Sequence, residues 1–87
     1  MVHVPDPPRR MTQTIDARGL LCPLPVLRLR QRLNAARPGM RVALVATDRA
    51  AAIDIPHFCT QHGHLLLSTR QTAPGETEYL VERGPDA

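Results

Sequence analysis

Apolar positions along this chain of 87 residues follow two rhythms in turn. Met11 to Asp16 carries a weak strand signal, and Arg18-Gly19 reads as a turn. Val26, Leu29, Leu33 and Ala36 then recur at the spacing of one helix face. That helix begins at Pro23 with Cys22 as its cap or, since Leu24 before a proline avoids the helical region, at Pro25 with Cys22 just outside. It runs to Ala36 and is stopped by Arg37-Pro38-Gly39. Val42-Ala43-Leu44-Val45-Ala46 is an unbroken apolar run inside a strand spanning Arg41 to Thr47. Ala50-Ala51-Ala52 has the makings of a first helical turn, and Asp54-Ile55-Pro56 restarts the signal with aspartate as cap and proline in the first turn. This second helix runs to His62, with Gly63 as its left-handed stop. Leu65-Leu66-Leu67 marks a third strand, His64 to Arg70. Pro74-Gly75 makes a turn, and Thr77 to Arg83 closes a hairpin as the fourth strand.

The order is βαβαββ. A strand, a helix and a parallel strand close by a right-handed crossover, which puts the helix on one sheet face. The expected fold is α/β (α+β): a two-layer sandwich of a four-stranded mixed sheet with two helices on one face. One domain, residues 11–84, accounts for the chain, and the proline-rich segment 1–10 reads as a disordered or extended tail. On the open sheet face either Leu65 and Leu67 or Ala43 and Val45 must point away from the helices, which marks that face as a candidate partner or dimer surface.

Composition narrows the function. Tryptophan is absent, and Phe58 and Tyr79 are the sole large aromatics. The core must therefore be aliphatic, and base stacking on single-stranded nucleic acid has little to work with. The net charge is +3 and all eleven basic residues are arginine. Arginine suits bidentate pairing with acidic partners, and an ordinary solvated, ion-paired surface is equally open. The sequence has no Cys-x-x-Cys, no apolar leader and no apolar run of transmembrane length, so a cytoplasmic location with reduced thiols is expected.

Chemistry concentrates at Cys22-Pro23-Leu24-Pro25. The motif sets a thiol at the mouth of the first helix, where free N–H groups and the positive dipole end favour thiolate. With Pro23 and Pro25 both lacking an N–H, only Leu24 is left to donate to a capping Cys22. Leu21 and Val26 form a candidate hydrophobic staple. A buried, unreactive cysteine beside a helix-starting proline is the alternative.

His57, Cys59, His62 and His64 look like zinc ligands. On a helix, however, His57 and Cys59 point to opposite sides, and only Cys59 and His62 face together. Cys59 shares an apolar stripe with Ile55 and Phe58 and reads as core. No metal and no cofactor is expected. Asp48 fits a loop aspartate capping the Ala50 turn. In a parallel βαβ pair it also falls near Cys22.

The run Asp16-Ala17-Arg18-Gly19-Leu20-Leu21-Cys22-Pro23-Leu24-Pro25, followed by Asp54-Ile55-Pro56-His57-Phe58-Cys59, resembles the TusA-like sulfur-carrier family. The resemblance extends from about Thr14 to Arg83, and that family's fold is a βαβαββ sandwich. It implies that Cys22 accepts sulfane sulfur as a persulfide and passes it on, with Gly19, Pro23, Leu24 and Pro25 shaping the motif. The chain would be a stoichiometric carrier rather than an enzyme. The implied donor is a cysteine desulfurase or rhodanese-like protein. The implied acceptor serves tRNA thiolation, molybdenum-cofactor maturation or sulfur oxidation. No direct nucleic-acid or membrane partner is implied.

Arg18, Arg28 and Arg32 are the candidate partner surface, the last two sharing a helix face. Many members of the family carry Asp-Pro where this chain has Asp48-Arg49, a departure that touches the entry to the second helix. Two other functions compete with the carrier: a non-catalytic interaction or regulatory module, and, on the arginine content, an RNA-binding domain with steep salt dependence.

Overall fold

The computed structural model describes residues 12–85, so the expected tail at 1–10 and Met11 lie outside the described residues. Six elements follow in order: β1 (Thr12–Ala17), α1 (Leu24–Asn34), β2 (Arg41–Ala46), α2 (Ala51–His62), β3 (Leu65–Ala73) and β4 (Glu76–Glu82). They form one four-stranded sheet in the order β1-β2-β4-β3. β1 and β2 are parallel, joined across α1, whereas β4 is antiparallel to both β2 and β3. The βαβαββ mixed sandwich expected from the hydrophobic pattern is therefore the fold.

Alternation along the strands sends one side chain in two toward the helices. Ile15 and Ala17 of β1, Val42, Leu44 and Ala46 of β2, and Tyr79 and Val81 of β4 make the sheet's contribution to the core. α1 answers with Leu29 and Leu33, and α2 with Ala51, Ile55, Phe58 and Cys59. Leu29, Leu33, Leu44 and Ile55 have no exposed surface, and burial of each is worth about 1.5–3 kcal/mol. β2 is a central strand paired on both sides, which explains its unbroken apolar run.

Ala43 and Val45 alternate with the core residues Val42, Leu44 and Ala46 and so point away from the helices, as expected, but they offer little open surface. Ala43 sits in register between Thr14 and Leu80 and is buried. Ion pairs Arg41–Glu82 and Arg70–Glu78 flank that strip at 3.3 and 3.1 Å. Within the sheet, exposed leucine is confined to Leu65 and Leu67 on the edge strand β3, next to a register shift between Leu66 and Ser68.

α2 begins at Ala51, three residues ahead of the aspartate that looked like its cap, and accommodates Pro56 inside. Gly63 ends it with φ 73°, and the N–H of His64 reaches the Cys59 carbonyl at 2.9 Å. The end of the chain docks here. The Gly84 N–H donates to His64 Nδ1 at 3.0 Å, and a Cβ at Gly84 would overlap the Gly63 carbonyl. Arg83 Nε donates to the Leu33 carbonyl at 2.8 Å, tying the end of β4 to α1.

Candidate functional site

Parallel pairing brings the C-terminal ends of β1 and β2 to the same rim, and both strands hand the chain to loops there. After β1, Gly19 turns with φ 80°, a left-handed conformation glycine accepts without steric cost. Its N–H donates to Thr47 Oγ1 at 2.9 Å, fastening the first loop to the second. Asp48 adds two more ties. Its Oδ2 accepts the Cys22 N–H at 2.6 Å and its Oδ1 accepts the Ala50 N–H at 3.1 Å. One carboxylate thus does both things foreseen for it: it braces the entry to α2 and reaches the cysteine loop.

Cys22 is exposed, and the Cys22–Pro23 peptide bond is cis. α1 begins at Leu24 with Pro25 at its second position, so Cys22 stands outside the helix. The capping arrangement expected from sequence does not form. Leu24 donates its N–H to the Leu21 carbonyl at 2.8 Å, not to the thiol. Leu21 is 69% exposed, so it staples nothing.

The thiol instead points at the second helix, where Sγ donates to Asp54 Oδ2 at 3.0 Å. This hydrogen bond to a carboxylate, then partial desolvation, then the charges of Asp54 and Asp48, push the Cys22 pKa up. The lowered pKa expected from the helix dipole is overturned. Pro23 and Pro25 carry no N–H and the Leu24 N–H is taken by the Leu21 carbonyl, while two carboxylates stand beside the sulfur.

Between α1 and α2 runs a groove of about 360 Å³ with Cys22 and Pro23 at one end. Leu27 and Arg30 line one wall, and His57 and His62 the other. Four of the six exposed large apolar side chains of the described residues, Leu21, Leu24, Leu27 and Ile53, lie on this loop and the first turns of the two helices.

The arginines singled out in the sequence lie elsewhere. Arg18 forks onto Asp16, with Nε at 2.9 Å from Oδ1 and Nη2 at 2.9 Å from Oδ2, and stands 3.7 Å from Glu76. Arg32 Nη1 donates to Gln13 Oε1 at 3.0 Å, on the flank of α1 facing β1. Arg28 is exposed, on that same flank by helical spacing. Arg30, missed at the outset, is the arginine of the groove. Its position three after Leu27 and four after Val26 was the signal that could have found it.

Cys59 differs in access. It is 2% exposed, and burial pushes its thiol pKa to about 11. Among the described residues no three His, Cys, Asp or Glu side chains stand where they could hold one metal ion. His62 lies against the Phe58 ring at 4.8 Å between centroids, and His64 is buried with Nδ1 engaged by Gly84.

The fold and site define a small two-layer βαβαββ domain that presents one exposed cysteine, Cys22, at its rim on a Cys-Pro-Leu-Pro loop. The family described as Sulfurtransferase TusA matches residues 13–83, and the chain belongs to that family, whose members act as sulfur carriers in sulfur relays. The crystal structure of a SirA-like protein from Desulfitobacterium hafniense has the same fold. Its TM-score is 0.73 at 24% identity, over 82% of this chain and 96% of that one. No helix among the described residues is long and apolar enough to cross a membrane.

Proposed function

We propose that Cys22 carries sulfane sulfur as a persulfide, accepted from a cysteine desulfurase or rhodanese-like donor and passed to an acceptor protein in a cytoplasmic relay. Acceptors in tRNA thiolation, molybdenum-cofactor maturation or sulfur oxidation are the candidate destinations. The chain acts stoichiometrically, with no turnover of its own, and uses neither metal nor cofactor.

The observation that carries this reading is the contrast in access: Cys22 is exposed at the head of a groove, whereas Cys59 is sealed in the core. A carrier sulfur must be touched by two proteins in turn, which an exposed loop at a rim permits. Gly19 and Asp48 hold the loop that presents it, while Pro23, Leu24 and Pro25 set where the helix begins.

The test is intact-protein mass spectrometry after incubation with a cysteine desulfurase and cysteine. The wild type and Cys59→Ala should each gain one sulfur that reductant removes, and Cys22→Ser should gain none. Loading of Cys22→Ser, or loss of loading in Cys59→Ala with the fold intact, would sink the assignment.

A further inference from the structure

Nothing in a carrier's task requires a carboxylate against its thiol, and an anionic neighbour opposes thiolate formation. Yet Asp54 Oδ2 stands 3.0 Å from Cys22 Sγ. The carboxylate does not serve α2 as its N-cap, because the helix starts at Ala51. Its half-buried position on the first turn aims it at the sulfur across the mouth of the groove.

We propose that Asp54 is the proton acceptor and donor for Cys22, taking the thiol proton as sulfur is loaded and returning it as sulfur leaves. This rests on the reading of Cys22 as a persulfide carrier.

In loading, Cys22–SH attacks the outer sulfur of a donor hydropersulfide, D–S–SH, while its proton passes to the Asp54 carboxylate. A Cys22–sulfur bond forms and the donor's S–S bond breaks. The products are Cys22–S–SH, the donor thiolate and the Asp54 carboxylic acid. In delivery, an acceptor thiolate attacks that same outer sulfur. The Cys22 S–S bond breaks, and the leaving Cys22 sulfur takes a proton back from Asp54. Each direction conserves charge and needs no oxidant or reductant.

The geometry meets what proton transfer demands, namely heavy atoms within hydrogen-bond reach. The raised thiol pKa agrees with it, since a thiol kept protonated needs a base at the moment of attack. Other ionisable groups face the pair. Asp48 comes from the loop after β2, Arg30 from α1, and His57 and His62 from α2. None of these side chains has a hydrogen bond to Sγ, whereas Asp54 does.

Asp54→Asn, nearly identical in shape, separates a proton acceptor from a mere suppressor of thiolate. Two rates are measured from pH 5.5 to 9: sulfur loading of Cys22 from a persulfidated rhodanese-type protein, and alkylation by iodoacetamide. At neutral pH the variant should alkylate faster, because a carboxylate charge is gone, yet load sulfur about 10²-fold more slowly, because the base is gone. Its loading rate should climb with pH in step with thiolate, while the wild-type rate stays flatter. Asp54→Glu should recover part of the loading.

Loading by Asp54→Asn at the wild-type rate and with the wild-type pH profile would overturn the inference and leave the carrier reading standing. So would a parallel fall in both rates, which marks a displaced loop. A wild-type protein that gains no sulfur at Cys22 would instead remove the carrier reading itself, and this inference with it.

Discussion

Cys22 and Cys59 are the same side chain, 37 positions apart, one just ahead of α1 and the other inside α2. Both have raised pKa values, but with different leading causes. Cys59 sits among Ile55, Phe58 and the sheet, where desolvation alone lifts it to about 11. Cys22 is exposed and is held protonated by a specific acceptor, Asp54. Desolvation cannot be undone without unfolding, whereas a hydrogen bond is released by moving one proton. A thiol meant to react is therefore better restrained by a partner than by burial.

The sharpest way to break this contrast is thiol labelling of the folded protein. Cys22 should react freely, and Cys59 only through opening of the core. A domain stability of about 5 kcal/mol or more makes the difference at least about 10³-fold. Comparable rates would mean that the core around Cys59 is open. Leu29→Ala, which empties a fully buried site on the core face of α1, should cost about 2–5 kcal/mol in a denaturant titration. It should speed labelling of Cys59 and leave that of Cys22 nearly unchanged.

Asp48→Ala acts on the other member of the pair. It removes the acceptor of two backbone N–H groups and should cost about 1–3 kcal/mol. Losing a nearby charge should also move the Cys22 thiol pKa down, read as faster alkylation at neutral pH.

A pH series tests the core side through His64. Burial, then the charges of Arg83 and His62, lower its pKa in the folded protein. Its neutral form is needed to accept the Gly84 N–H. The contribution is therefore fully present above the unfolded value of about 6.5 and is lost as pH falls through the lower folded value. The urea midpoint should drop between pH 7.5 and 5.5. His64→Asn, which keeps an acceptor but cannot take a proton there, should flatten that drop. Least of all, Arg70→Ala removes an exposed ion pair far from either cysteine. It should cost no more than about 1 kcal/mol and leave both labelling rates unchanged.

Much of the fold was legible because its signals are local. The Val26–Ala36 spacing, the Val42–Ala46 run and the Pro74-Gly75 turn each report on one element, and connection rules supplied the layering. At the site, Cys22 was legible from its motif, and Asp48 from the parallel pairing of the strands around it. Asp54 was seen but misassigned. Its place before Ile55-Pro56 mimics a helix start, and only the packing of α2 against the Cys22 loop turns that side chain toward the sulfur. The pKa direction failed for the same reason. A dipole can be inferred from one helix, whereas the charges that outweigh it come from residues 26 and 32 positions away. Helical spacing likewise pairs Arg28 with Arg32, but it is the position of α2 that makes Arg30 the arginine of the groove.

A carrier spends most of its existence idle, and an accessible cysteine is then open to peroxide as well as to its proper donors. Peroxide oxidises thiolates, stepwise and in the end irreversibly. On the role proposed for Cys22, the Asp54 contact, by favouring the thiol form, would lengthen the chemical lifetime of each empty molecule. Asp54→Asn should age faster under oxidants, with sulfinic acid accumulating at Cys22.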